Sequence, residues 1–321
     1  KLDLLAGGET EHVRLYLNSG TAGEPEFDSF SFLPGVAYTA DALCTGNASE
    51  QRFWANSALE FTTEYVGNVA PEAVDWNEDG SMDLLLGGYT GLVYLYVGRK
   101  GGVLSPGEAL RTEDGAFLRV AGFSTPRITD WNSDGRKDLV CGDFLGRVHV
   151  YLKVGTNAAP RLGAGERLRV AGEEFVFGPR AMVEVADWNG DGKKDVLLGN
   201  RAGRVVVLLN CGSASEPRFD HLEHLRDDSD VWRELYGGAW ASPRAAVMPL
   251  YKRRDGGVDV LDVVATACPR VVDWDADGEL ELLISHRFGR IFVFEEIGTE
   301  SISNCVSFYL PALTRMVLSA G

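Results

Sequence analysis

Short apolar runs recur along the chain, each bounded by turn-forming residues. Leu84-Leu-Leu, Leu139-Val-Cys, Val196-Leu-Leu and Leu282-Leu-Ile are apolar at consecutive positions, the pattern of a strand buried on both faces. A turn containing Gly91, Gly146, Gly203 or Gly289 follows, and glycine gives a hairpin the backbone freedom it needs. Beyond each turn the runs opening at Val93, Val148, Val205 and Ile291 alternate as sheet residues do. β-Branched and aromatic residues are enriched and helical periodicity is nearly absent, so the chain reads as all-β. Residues 1–7 and 13–17 repeat the apolar strand and its successor, a headless first copy of the same unit.

One polar phrase precedes each apolar strand. Asp-Trp-Asn-Xaa-Asp-Gly-Xaa-Xaa-Asp occupies 75–83, 130–138 and 187–195, and a variant of it occupies 273–281. A strand enters the phrase, the phrase makes a tight turn, the apolar strand leaves it, a third strand follows the glycine turn, and the next stretch supplies a fourth. Four strands per unit around a buried central strand, repeated, predict β-propeller blades. The first Asp steps from 75 to 130 to 187 and then to 273, so the last step carries roughly 30 residues beyond the regular unit, short of a further blade. The expectation is one domain over 1–321: a β-propeller of five four-stranded blades, with rim insertions at about 28–68 and 212–266. Residues 311–321 read straight on into 1–7 reproduce the spacing of a complete unit, so pairing of the C-terminal strand with the N-terminal blade is expected to close the ring. In that composite blade the ligand positions fall on Arg315 or Met316, Val317, and Ser319 or Ala320, which would hold no metal.

Oxygen-bearing residues at positions one, three, five and nine, with Gly at six, suit a hard cation that takes six to eight oxygens, which implies Ca²⁺. The expected ligands are Asp75, Asn77, Asp79 and Asp83; Asp130, Asn132, Asp134 and Asp138; Asp187, Asn189, Asp191 and Asp195; and Asp273, Asp275, Asp277 and Glu281. The position-seven carbonyls of Ser81, Arg136, Lys193 and Glu279 would add one oxygen each. About four structural ions are implied, the one beside the longer Glu281 being the weakest. Simple Asx-type turns are the alternative, but a turn does not need four oxygen residues at fixed offsets, and crowded carboxylates repel without a cation. The phrase together with its Leu-Leu-Leu-Gly type strand resembles the FG-GAP/VCBS repeats, the integrin-α-like propellers. That resemblance implies Ca²⁺ in the first hairpin of a blade and a role in adhesion or ligand binding.

Composition narrows the setting. At 321 residues and 45% hydrophobic content the chain can bury a substantial core, and a net charge of −16 argues against binding a nucleic-acid backbone. No stretch reaches the roughly 18 uncharged apolar residues of a membrane span, and the apolar tail at 306–318 is interrupted by Pro311 and Arg315. Lys1 opens the sequence without a signal-peptide pattern, which suggests a mature or trimmed form. Of five cysteines, Cys141 reads as a buried thiol, while Cys44, Cys211, Cys268 and Cys305 could form one or two bridges in an oxidising compartment. The sequon at 47–49 and the calcium phrases point to an extracellular or organelle-lumen setting.

Outside the phrases, Trp76, Trp131, Trp188 and Trp274 share one register and are expected to pack between blades rather than to stack on a sugar. Trp54, Trp232 and Trp240 lie off the repeat and are candidates for partner contact. Asp220, His221, Glu223 and His224 read as solvated surface rather than a transition-metal site, and the basic run 252–254 as a solvated turn. No phosphate loop, nucleophile elbow or Ser/His/Asp set occurs, and the loose acids Glu9, Asp143 and Glu184 have no assignable partner. The expected function is therefore a non-catalytic recognition, adhesion or assembly module for a protein or glycan. The alternatives are a glycoside hydrolase or polysaccharide lyase on a propeller scaffold, and a structural subunit of a larger complex. Two or three inward carboxylates in a central funnel would mark the enzyme.

Overall fold

The computed structural model describes residues 2–7, 12–21, 26–27, 29–34, 36, 68–156, 160–224, 266–274, 278, 280–285, 291–296 and 305–308. Among these there is no helix, and every strand pairing is antiparallel. The first sheet has three strands, β1 (Leu4–Ala6), β2 (Arg14–Tyr16) and β3 (Phe30–Phe32). The second joins β4 (Ala70–Val74), β5 (Asp83–Gly87), β6 (Val93–Tyr96) and β9 (Glu108–Ala109), with a small hairpin, β7 (Gly98–Arg99) and β8 (Val103–Leu104), before its last strand. The third runs β10 (Thr125–Thr129), β11 (Asp138–Gly142), β12 (Val148–Tyr151) and β13 (Glu166–Arg167), and a hairpin of β14 (Arg169–Val170) and β15 (Glu173–Glu174) follows. The fourth is β16 (Met182–Ala186), β17 (Asp195–Gly199), β18 (Val205–Leu208) and β19 (Glu223–His224). The fifth is β20 (Cys268–Val272), β21 (Glu281–Ser285), β22 (Ile291–Glu296) and β23 (Cys305–Phe308).

The hydrophobic pattern explains this order. β5, β11 and β17 are buried along their whole length, as strands flanked by a neighbour on each face must be. Each is the second strand of its sheet, reached through the polar phrase; in the second sheet Val74 pairs with Asp83 and Ala70 with Gly87 across that turn.

Packing between sheets uses one recurrent device. Trp76 buries itself with Leu85, Leu139 and Leu162, joining the second and third sheets; Trp131 packs with Val183, Val196 and Phe219, joining the third and fourth. Trp188 meets Leu282 and Ile284 of the fifth sheet. Trp274 packs with Tyr16 and Phe27, so the fifth sheet also lies against the first, and Val13, Val36, Val69, Leu84 and Leu86 join the first to the second. The four tryptophans are thus inter-sheet core, as their register predicts, and each buries an area worth about 2 kcal/mol or more.

Close approach of neighbouring backbones demands glycine at two kinds of place. A Cβ on Gly142 would overlap the carbonyl oxygen of Ala181 at the entry to the fourth sheet. Gly146 sits at φ +85° in the β11–β12 turn, where a Cβ would meet the backbone of Gly178. These repeated small antiparallel sheets, packed face to face with their first strands drawn together, form a propeller-like all-β fold. The two intervals expected as insertions begin within the repeat, since β3 and β19 are the outermost strands of the first and fourth sheets. Residues 37–67, 225–265 and 309–321, and with them the expected closing strand, lie outside the described residues.

Candidate functional site

Each phrase folds into a turn in which acidic oxygens face backbone N–H groups. In the 75–83 loop, Asp75 accepts from the N–H of Asp79 (3.1 Å) and of Gly80 (3.0 Å), and Asp79 accepts from the N–H of Ser81 (2.8 Å). Asn77 closes the loop, its Oδ1 taking the Asp79 N–H and its Nδ2 donating to Asp79 Oδ2, both at 3.0 Å. The 130–138 loop repeats these contacts with Asp130, Asn132 and Asp134. In 187–195, Asp187 holds the Gly192 N–H (2.8 Å), and Asn189 and Asp191 take the same roles as before. Glu78 and Ser133, at position four of their loops, have φ of 58° and 56°, a left-handed residue that lets the turn close so tightly.

The ninth residue behaves differently from the other acids. Asp83, Asp138 and Asp195 are buried, and each carboxylate bridges two backbone N–H groups: that of the loop tryptophan at 2.9–3.0 Å, and that of a residue fifteen further on, Gly98, Lys153 or Asn210, at 2.6–2.7 Å. Glu281 takes the Trp274 N–H in the same way, and Asp3 takes the Asn18 N–H at 2.9 Å. Burial raises the Asp138 and Asp195 carboxyls above the ordinary range, against the pull of their N–H donors. By contrast the Ser81 N–H lowers the Asp79 carboxyl, and hydrogen bonding to Arg136 lowers that of Asp134.

The donor set of each loop is all oxygen, which fits a hard cation. Asp187 Oδ1 and Asp273 Oδ1 are buried and accept no hydrogen bond, so each offers a carboxylate oxygen that a cation would complete. Among the described residues, however, no three acidic, histidine or cysteine side chains converge on one point, because most loop carboxylates already face amides. The residues therefore suit Ca²⁺ chemically, and the ion would supply charge neutralisation and bind the two ends of the turn together.

The first strands carry a second polar constellation. Glu72, Arg127, Glu184 and Arg270 stand at equivalent places on β4, β10, β16 and β20, and their side chains meet in a closed square. Arg127 reaches Glu184 at 3.1 Å and Glu72 at 3.6 Å, while Arg270 reaches Glu184 at 3.1 Å and Glu72 at 2.8 Å. Side-chain exposure is 5% for Arg127, 10% for Glu184, 14% for Glu72 and 38% for Arg270. Burial works against the Arg270 charge, but Glu72 and Glu184 outweigh it and hold the guanidinium above its ordinary value. Asp143 is fully buried, bonded to His149 Nε2 (3.0 Å) and to the Arg147 N–H (2.9 Å).

Residues 130–198 match the model of the FG-GAP-like repeat. The chain carries an FG-GAP-like repeat. Over 184 residues, 54% of its length, it is 26% identical to Cartilage acidic protein 1 of Homo sapiens, and it spans 23% of that relative's length. A solved structure describing specific recognition of non-reducing terminal N-acetylglucosamine by an Agrocybe aegerita lectin aligns over 95% of this chain and 65% of its own, with a TM-score of 0.43 and 16% identity.

The matched repeat contains two of the loops, 130–138 and 187–195, each whole within its own hairpin. Asp75, Asn77, Asp79, Ser81 and Asp83 are gathered in the same way, whereas Asp275, Asp277 and Glu279 lie outside the described residues, as do Trp54, Trp232, Trp240 and Glu9. His221 bonds Glu223 at 3.4 Å and Arg218 pairs with Asp220 at 3.4 Å, both on the surface. Cys141, Cys211 and Cys268 are free thiols, so no bridge joins Cys211 or Cys268, a correction to the expected pairing, and burial pushes the Cys141 thiol up to about 12. Two features of the repeat escape a reading centred on the phrase. One is the charge square, whose signal is the residue after Pro71, Pro126 and Pro269. The other is the acceptor hairpin fifteen residues past the ninth position, where Asn18 and Asn210 each take two N–H groups through Oδ1.

Proposed function

We propose that this chain is a calcium-stabilised, five-bladed β-propeller, closed by its C-terminal strand, that serves as a non-catalytic recognition or assembly module for a protein or glycan partner in an extracellular or luminal setting. The observation that carries the non-catalytic reading is the charge square. A glycosidase needs two inward carboxyls with divergent roles, one holding a proton and one free to attack or activate water. Glu72 and Glu184 are the described acids on the first strands, and each is paired with both Arg127 and Arg270, which leaves both carboxyls occupied in ion pairs. Asp143 is occupied by His149 and a backbone amide.

Calcium is supported by the all-oxygen loops and by the open oxygens of Asp187 and Asp273, and extracellular calcium is abundant enough to fill weak sites of this kind. Five inter-sheet clusters, the last joining the fifth sheet to the first, support a five-bladed ring. The deciding experiment is a thermal melt with Ca²⁺ and with a chelator, together with counting of bound metal and a glycan array read for both binding and cleavage. About four ions, a melting temperature that falls on chelation, and glycan or protein capture without turnover are the expected results. Absence of bound metal removes calcium from the proposal, and cleavage of any captured glycan overturns the non-catalytic reading.

A further inference from the structure

Asn189 is the one asparagine of the chain that is followed by glycine. At position four the 75–83 and 130–138 loops carry Glu78 and Ser133, whereas Gly190 has no Cβ, and nothing lies within 4 Å of where one would stand. The 187–195 loop is also the least braced of the three. The Asp79 N–H is held by Asp75 at 3.1 Å and Asn77 at 3.0 Å, and the Asp134 N–H by Asp130 at 2.9 Å and Asn132 at 3.2 Å. Among the described residues, the Asp191 N–H is held by Asn189 Oδ1 alone, at 3.1 Å, and Asp187 Oδ1 accepts no hydrogen bond. The bond from the asparagine amide to the fifth-position carboxylate lengthens from 3.0 and 3.1 Å in the first two loops to 3.4 Å here. Asn77 and Asn132 are half-buried, and Asn189 is exposed.

We propose that Asn189 is a site of spontaneous covalent modification, an asparagine that its own chain converts to aspartate and isoaspartate. The Gly190 backbone nitrogen attacks Asn189 Cγ, an approach that a side chain at residue 190 would obstruct. A cyclic imide closes, the Cγ–Nδ2 bond breaks, and the amide leaves as ammonia, taking the Gly190 proton with it. Water then opens the imide. Attack at Cγ gives aspartate with the backbone restored, and attack at the Asn189 carbonyl carbon gives isoaspartate, whose backbone is longer by the side-chain methylene. The loop's hydrogen bonds engage the N–H groups of Asp191, Gly192 and Lys193, and the attacking nitrogen is not among them. The repeat accommodates an acid at this place, since Asp275 stands there in the variant phrase. Conversion to aspartate therefore adds a negative charge and gives 187–195 the acids at positions one, three, five and nine that 273–281 carries. One part rests on the calcium reading above: an ion held by Asn189 Oδ1 fixes the amide and slows the attack, so the empty loop is the form that converts.

The test is incubation of the folded whole chain in mildly alkaline buffer at physiological temperature, in chelator and in excess Ca²⁺, followed by trypsin and mass spectrometry. Cleavage after Arg127, Arg136, Arg180 and Lys193 releases residues 128–136 and 181–193, which carry Asn132 and Asn189 in separate peptides. In chelator the 181–193 peptide is expected to gain the mass of an amide-to-acid change several-fold faster than 128–136, and to split into aspartate and isoaspartate forms. Gly190→Ser copies the residue that the 130–138 loop has at this place, where Ser133 adopts φ 56°, and should slow Asn189 to the rate of Asn132. Excess Ca²⁺ should slow the wild-type conversion. If Asn189 gains mass no faster than Asn132, or if Gly190→Ser converts as wild type does, the modification site is overturned whether or not the chain binds calcium. If Asn189 converts ahead of Asn132 at one rate in chelator and in Ca²⁺, the modification stands and the ion is removed from this loop.

Discussion

Replacing Arg127 by Met asks how much of the fold depends on the charge square. Methionine keeps most of the volume on β10 but leaves Glu72 and Glu184 to share Arg270 alone, which is more exposed than the residue lost. Removing one partner of a buried ion pair typically costs about 3–5 kcal/mol, because the remaining charge keeps its desolvation penalty without its counter-ion. For a domain of 321 residues that corresponds to a fall in melting temperature of roughly 4–7 °C. Glu184→Gln alone should cost a similar amount, since it leaves Glu72 alone to balance both arginines. The double variant Arg127→Met, Glu184→Gln removes one charge of each sign and leaves the 2.8 Å Arg270–Glu72 pair intact. Its cost should fall short of the sum of the two single costs by about 1–3 kcal/mol, the size of coupling expected for residues in one network. Urea unfolding of the four proteins in excess Ca²⁺, followed by circular dichroism, closes this cycle. Strict additivity, or a single-variant cost below about 1 kcal/mol, would refute the view that the four side chains act as one electrostatic unit.

Three further outcomes are expected. Asp138→Asn swaps one acceptor for a donor facing the Trp131 or Lys153 N–H and should cost about 1–3 kcal/mol in urea melts, with the same cost in chelator, since both bonds are to backbone. Gly146→Ala should lower stability by about 2 kcal/mol or more, because it combines a left-handed backbone at φ +85° with overlap on Gly178; a neutral melt would contradict the close approach of the third and fourth sheets. Lys153 is fully buried, donates to the Trp76 carbonyl at 2.9 Å, and has its pKa lowered from 10.5 by burial. Between the lowered folded value and 10.5 the unfolded chain binds the extra proton, so this lysine's contribution rises with pH across that window; wild type should gain stability relative to Lys153→Met in alkaline urea melts, and a pH-independent difference would exclude it.

The strands that line up as continuous apolar runs were legible because a strand buried on both faces leaves no polar position to confuse the period. The inter-sheet role of Trp76, Trp131, Trp188 and Trp274 was legible for a related reason: four large aromatics in one register need four equivalent partners, and only neighbouring sheets supply them. The charge square was not legible. Glu72 and Arg127 are more than fifty residues apart, each is a lone charge in an apolar strand, and nothing local says that four such positions converge on one axis. The outer strands β3 and β19 read as the start of insertions because they span three and two residues, too short for a periodic pattern to show.

The ninth position shows most directly how one residue serves two levels of the structure. From spacing alone it reads as the last oxygen of a calcium loop, yet its carboxylate is held by the N–H groups at both ends of the unit: the tryptophan that opens the turn and the residue that leaves the third strand. Asp3 makes the second of these bonds, to Asn18, with no phrase residue around it among the described residues. The bond thus spans the same strand pair in the first sheet as in the others. A carboxylate suits this place because one side chain satisfies two buried donors that would otherwise each cost about 1–3 kcal/mol. Any ion in the loop would then sit on a frame already fixed by this acid, so filling or emptying the loops should change the stability of the turns without dissolving the sheets behind them.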